Sequence, residues 1–341
     1  MKRRKVITGS PFVLAALAVP SRDWLLSSMD GAATDRGPRR IGMDQVDGIR
    51  EMFRLFQEID VMRGGGHARV ALVEYLNSFV LPLLSHAHDH DVQLALYEAA
   101  AEQAYLVGWM AYDDGQHGVA QRWLIQSLRL AEASTNPALG AHVLAGMSDQ
   151  ANLLGHPHEA LMLARAGQRG ISLKDSPACL ADLQVLEARA LAALGGHDRE
   201  ATKAVVRAER TFQYVNPDNE PEWTRFIDRA YLFGEAAHAF RDLGDADQIS
   251  RFAGESSVEA TKQKRVRRGA LSLAALAVGD IHRDEIDAAA TRAAKVVDLA
   301  STVNSSRCVG TVRDLTRRLR PFNDQESVKL FQHKAKAFLA A

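Results

Sequence analysis

The sequence predicts an all-α protein built as a right-handed superhelical array of helical hairpins, and three observations predict it. Small residues recur at a fixed spacing: Gly108, Gly115, Ala120 and Ser127, then Ser148, Gly155, Ala160 and Gly167 forty residues later. Two helices that cross closely need small side chains at the crossing, and a tight turn between them favours glycine. Ala and Leu are abundant, and no run alternates apolar with polar over the length of a strand. Apolar residues make up 47% and charged residues 25%, the balance of an ordinary globular protein. Lys plus Arg (42) equals Asp plus Glu (42), so no global field favours nucleic acid or an anionic membrane.

Taken in order, residues 1–40 form a basic and apolar N-terminal segment with a flexible linker, and residues 41–341 form the array. Lys2, Arg3, Arg4 and Lys5 precede an apolar run from Val6 to Val19 that ends near Ala16-Leu17-Ala18. These are the parts of a secretory signal, and Arg3-Arg4 approximates a twin-arginine one. The run is too short to cross a membrane. Residues 27–42 are rich in Gly, Ser, Asp and Arg and read as a connector. Asp44 is the expected N-cap of a helix carrying Val46, Ile49, Met52, Phe53, Phe56 and Ile59 on one face. Arg63-Gly64-Gly65-Gly66 ends it as a helix–helix turn; without a preceding strand or a Gly-Lys-Ser/Thr it is no phosphate loop. A second leading helix is expected from about Ala68 to Leu84, burying Val70, Val73, Leu76, Phe79 and Val80.

Five hairpins follow. Asn136-Pro137 and Ser176-Pro177 each set an N-cap before a proline at the first helical position. Ala188, Gly195, Ala201 and Ala208 mark the third hairpin. A weaker fourth opens at Pro221 with Ala237 and Gly244, and Ile249 takes a small-residue position. A fifth turn is placed near Gly279. The turn glycines 115, 155, 195, 244 and 279 are spaced 40, 40, 49 and 35, an array that degenerates toward its end. Asn323 with Glu326 is the expected capping box of a C-terminal capping helix carrying Val328, Leu330, Phe331 and Phe338.

The small-residue pattern resembles the tetratricopeptide (TPR) repeat at a lengthened period. A narrower resemblance rests on Ile41-Gly42-Met43-Asp44-x-Val46, Ile59-Asp60 before Gly64-Gly65-Gly66-His67, Leu106-Val107-Gly108-Trp109-Met110-Ala111-Tyr112-Asp113, Leu153-Leu154-Gly155-His156-Pro157 and Pro221-Glu222-Trp223. From about residue 39 to the end the chain is similar to the TPR-like C-terminal region of actinobacterial XRE-type transcriptional regulators. Those carry a helix-turn-helix upstream, and this sequence shows none. The resemblance implies a regulatory module that binds a protein, a peptide or a small ligand, with no catalytic residues. A similar Arg-Arg and apolar segment lies inside those regulators, which implies a cytoplasmic protein. A twin-arginine-exported scaffold is the alternative.

In a TPR-like array the first helix of each hairpin lines the concave groove. In the first hairpin that implies Tyr105, Trp109, Tyr112 and Asp113, whose three rings share one helix face at i, i+4, i+7. In the second it implies His142, Asp149 and Asn152, polar where a core wants apolar groups. An aromatic stripe beside polar anchors suits a peptide groove, although such stripes also form cores. A second copy of the chain is a further candidate partner, and specific DNA binding by this chain alone is not expected.

The remaining clusters carry less. His86-Ala87-His88-Asp89-His90-Asp91 is metal-like, but its order departs from the dinuclear hydrolase signature, so a polar loop is preferred and a metal-dependent enzyme is the weakest reading. Lys262-Gln263-Lys264-Arg265-Val266-Arg267-Arg268 reads as the solvated start of a helix, with phosphate contact the lesser alternative. Arg313, Arg317, Arg318 and Arg320 suit a helix C-terminus. Cys179 and Cys308 offer no disulfide framework and no metal spacing. No cofactor is expected.

Overall fold

A computed structural model describes Phe12, residues 41–66 and residues 68–340. The signal-like run, the twin arginines and the linker expected before residue 41 therefore lie outside the described residues, apart from Phe12, whose ring stacks on His156 at 5.7 Å. The described residues are all-helical, with no strand among them, and no helix among them is long and apolar enough to cross a membrane.

Helix α1 (Met43–Arg63) buries Val46, Ile49, Phe53 and Phe56. Its N-cap is Gly42, not Asp44, with the Gln45 side chain reaching back to the Gly42 N–H at 2.7 Å. The second leading helix is not continuous: α2 (Arg69–Tyr75) widens into a π turn at Leu76–Val80 before the short α3 (Leu81–Leu83). Leu72, Leu76 and Val80, four residues apart, form its inward face, while Val70 and Phe79, expected inside, are exposed.

The hairpins pair α4 (His90–Asp113) with α5 (His117–Ala133), α6 (Pro137–Leu153) with α7 (Pro157–Arg169), and α8 (Pro177–Leu194) with α9 (Asp198–Phe212). Then come α10 (Arg229–Leu243) with α11 (Ala246–Lys262), and α12 (Val266–His282) with α13 (Ile286–Ala300). At the crossings the small residues do what the spacing asks of them. A Cβ on Gly108 would lie 3.0 Å from Leu124, and one on Gly167 2.6 Å from Leu183. Ser127 and Ser148 each donate across the crossing, to the carbonyls of Ala101 and Ala160, at 2.8 Å. Asn136 and Ser176 cap as expected, accepting from the Leu139 and Cys179 N–H groups.

Two placements are corrected. Pro221 opens only a 3-10 turn (Glu222–Thr224); α10 starts at Arg229 with Asp228 as its cap. Gly279 lies inside α12, where an added Cβ would meet Ile249 at 3.2 Å. The fifth turn is instead at Asp284, which adopts φ 62°, forty positions after Gly244. Asp tolerates the left-handed region without glycine's freedom, so the turn carries no glycine signal. At the C-terminus α14 (Ser306–Leu319) leads to α15 (Glu326–Ala340), which buries Val328 and Phe331 and leaves Leu330 exposed.

The first helices of the hairpins, α4, α6, α8, α10 and α12, pack on one another in sequence, and the second helices cover them outside. Helix α1 touches both α4 and α12, so the start and the end of the array meet. The Asn304 N–H donates to the Arg63 carbonyl at 3.1 Å. The glycine run makes this approach possible: a Cβ on Gly65 would sit 2.4 Å from the Met110 carbonyl oxygen, and one on Gly64 2.3 Å from that of Asn304. The consequence for the inner helices is burial all round. Every residue of α4 from Ala99 to Asp113 is buried, charged ones included.

Candidate functional site

Charges in the interior must be paired, because taking an ion out of water costs several kcal/mol. Four arginines and four carboxylates meet that demand. Asp113, fully buried at the end of α4, accepts from Arg267 at 2.6 Å, the Gly65 N–H at 3.1 Å, Ser305 at 2.8 Å and Arg307 at 2.9 Å. Arg267 also reaches Asp60 of α1 at 2.9 Å. Asp149 of α6 accepts from Tyr112 at 3.0 Å and pairs with Arg189 of α8. Arg189 continues to Glu235 of α10 at 2.6 Å, and Glu235 accepts from Arg268 of α12 at 2.9 Å. Burial alone would raise the carboxyl pKa values, but the paired guanidinium groups hold Asp113 and Glu235 well below the usual carboxylate range.

Other interior groups are shifted toward their neutral forms. Burial, with Glu235 and Asp149 nearby, pushes the Asp182 carboxyl well up. Burial brings His142 down to about 3 and drives His238 well below the usual imidazole range. Neither ring nitrogen of His142 has a hydrogen-bond partner; its ring lies 4.1 Å from Tyr105 and 4.9 Å from Trp223, centroid to centroid.

The residues expected to line a groove thus fall into two environments. The segment between α9 and α10 covers two of them, Phe226 packing against the Trp109 and His142 rings and Trp223 against His142, while Tyr105 is buried between Trp109 and His142. That segment uses the extra length of the 49-residue interval. Glu220 pins it by accepting from Ser176 at 2.5 Å and from the Ala178 N–H at 2.9 Å, and Arg265 pins its far end through Asp228 at 2.7 Å. Arg307 covers the other end of the stripe, 5.1 Å from the Trp109 ring and 5.0 Å from the Tyr112 ring.

Tyr112 and Asp149 face a cavity of about 520 Å³. Its wall draws on all the inner helices and on α14: Arg189, Glu235, His238 and Arg241, then Leu271, Ala274 and Val278, then Arg307, Gly310, Asp314, Leu315, Arg317 and Arg318. Asp113 is fully buried within the ion network, and Asn152 is half-buried near the end of α6.

The basic run of residues 262–268 is corrected in the same way. Residues 262–264 are exposed, but Arg267 and Arg268 point inward and are two of the network's four arginines. Arg189, Glu235 and Arg307 carried no expectation either. One signal could have found Arg268: Gly234 faces it, and a Cβ there would lie 2.6 Å from its guanidinium. His88 of the metal-like stretch is structural, its ring in contact with the Ile41 N–H at 3.4 Å and the Leu83 carbonyl at 2.9 Å. Among the described residues no group of three or more His, Cys, Asp or Glu is placed to hold a metal ion. Cys179 and Cys308 are free and buried. No family model and no curated protein matches the chain.

Proposed function

We propose that this chain is a TPR-like regulatory binding module, akin to the sensor region of an XRE-type regulator, and that its ligand occupies the cavity enclosed by the inner helices. The observation that carries the reading is the cavity itself. At about 520 Å³ it has the size of a small-molecule or peptide-end site, and its mostly polar and charged wall also presents Leu271, Ala274, Val278 and Leu315. The network beneath it supports the same reading. A buried ion network is a poor way to gain stability, since well-packed apolar groups of the same volume do as well or better. It does hold the five inner helices, with α1 and α14, in one arrangement, and an occupant of the cavity touches most of them at once. A ligand that binds one arrangement better than another shifts the population toward it.

The test is recovery of an occupant. The full chain is purified from its native host beside the Gly310→Trp variant, and small molecules and peptides released on denaturation are identified by mass spectrometry. Gly310 lines the cavity on helix α14 and an added Cβ would meet nothing within 4 Å, so the indole fills space without displacing the core. A discrete compound present on the native chain and missing from Gly310→Trp is the expected result. Identical profiles from the two would defeat the reading.

A further inference from the structure

The cavity wall is chemically lopsided, and the imbalance points to a ligand class. Its floor is neutral: Arg189 and Arg307 are spoken for by Asp149, Glu235 and Asp113. The rim differs. Arg317 and Arg318 share the single carboxylate of Asp314, Arg318 at 2.7 Å. Arg241, on the α10 side, is held at 2.7 Å by Asp242, its neighbour in sequence, and also acts on Asp314 through its charge. Three guanidinium groups therefore act on one wall carboxylate, and each is partly open to water. The same wall carries the apolar side chains of Leu271, Ala274, Val278 and Leu315.

We infer that the cavity takes an organic anion, its apolar body against Leu271, Val278 and Leu315 and its acidic head, carboxylate or phosphoryl, between Arg241 and Arg318. Planar guanidinium groups bind such heads through paired hydrogen bonds, a geometry that Lys does not offer. The imidazoles beside the site do not compete for the anion. His238 stays neutral because burial and the Arg241 charge oppose its protonation, and burial also lowers His117. This inference rests on the cavity being a binding site, as proposed above, and adds the sign of the ligand's charge.

The experiment uses the full chain and a matched pair of fluorescent probes. 8-Anilinonaphthalene-1-sulfonate carries the anionic head, and N-phenyl-1-naphthylamine is nearly the same body without it. The sulfonate should bind at least tenfold more tightly than the neutral probe. Arg241→Gln combined with Arg318→Gln should weaken the sulfonate at least tenfold and leave the neutral probe unchanged, while Gly310→Trp should abolish binding of both. Displacement of the sulfonate by octanoate and by phenyl phosphate then tells a carboxylate source from a phosphoryl one. Equal affinity for the two probes, or sulfonate binding indifferent to the arginine changes, overturns the inference. Equal affinity that Gly310→Trp abolishes would overturn only the charge preference and leave the cavity as a binding site. No binding of either probe would defeat both.

Discussion

Arg267 and Asp113 stand 154 positions apart in the chain and meet at 2.6 Å in its interior. The same guanidinium holds Asp60, so one side chain of α12 fastens the first leading helix to the first hairpin and both to the last hairpin. Removing it leaves two carboxylates buried and short of charge. Arg267→Met should destabilise the protein by about 3–5 kcal/mol, far more than the loss of a surface pair. Asp113→Asn in the same chain should recover part of the loss. A double-mutant cycle by urea unfolding checks this, and additive losses would mean that the two side chains are not energetically coupled.

The closure of the array should depend on Gly65. Its Cβ would meet three backbone atoms of Met110 within 2.9 Å, and backbone cannot turn aside as a side chain can. Gly65→Ala is expected to separate α1 from the end of α4 and to raise amide exchange at residues 304–308, which the closure protects. Gly155→Ala is the control. It introduces strain at φ 79° but meets nothing within 4 Å, so its cost should stay near about 1 kcal/mol with no exchange change at 304–308.

The array was legible because crossings leave a residue-type signature. Gly108, Ala120, Ser127 and their equivalents are small for a local reason that spacing reveals. Asp284 shows the limit: the turn needs a left-handed residue, and Asp supplies it without marking the place. Sequence periodicity also names the inward face of α4 without saying what lies against it. Trp109 is covered by Phe226, more than a hundred positions away, and Asp113 by Arg267 and Arg307. A basic run reads as solvent-facing until its partners are known, and the partners of Arg267 and Arg268 are scattered singly along three other helices.

Trp109 is buried, between Tyr105, Tyr112, Phe226 and Arg307. Trp109→Ala should therefore cost about 3–5 kcal/mol, the range for a large core aromatic. Thermal or urea unfolding reads it directly. A variant with unchanged stability would show that the ring is free to leave its packing, and would restore it as a candidate contact for a ligand.

The pH dependence of stability should carry the mark of His142. Its folded value is near 3 against about 6.5 unfolded, because burial disfavours the imidazolium. Below pH 6.5 the unfolded chain takes up this proton and the folded chain does not, so stability is present above 6.5 and falls with pH until about 3. Asp182 works against it: its raised pKa means the folded chain holds a proton there that the unfolded chain sheds above about 3.8, which favours the fold as pH falls. The two are separated by measuring wild type against His142→Phe, which keeps the ring and removes the site. From pH 6 to 4.5 wild type should lose ground to the variant by about 1.4 kcal/mol per pH unit. A constant difference over that range would show that the buried imidazole protonates at no cost, through a group or a water that stabilises its charge.

Glu220 should govern access to the aromatic stripe. Its carboxylate accepts from Ser176 and from the Ala178 N–H at the start of α8, and acceptors at a helix N-terminus gain from the unpaired N–H groups and the dipole there. Three residues on, Trp223 lies against His142, so the cap and the cover are parts of one short segment. Glu220→Ala removes both acceptor contacts and strands a buried N–H, at a cost of about 1–3 kcal/mol. If Glu220 is what seats the segment, the cost will be local: residues 216–228 should gain amide exchange and protease sensitivity, and Trp223 should become open to collisional quenching, while the hairpin α4–α5 stays protected. Glu220→Gln keeps an acceptor for the Ala178 N–H and should show a smaller change in the same places. Uniform loss of protection across the chain would mean instead that the segment is part of the global core, and that the stripe opens only when the whole array unfolds.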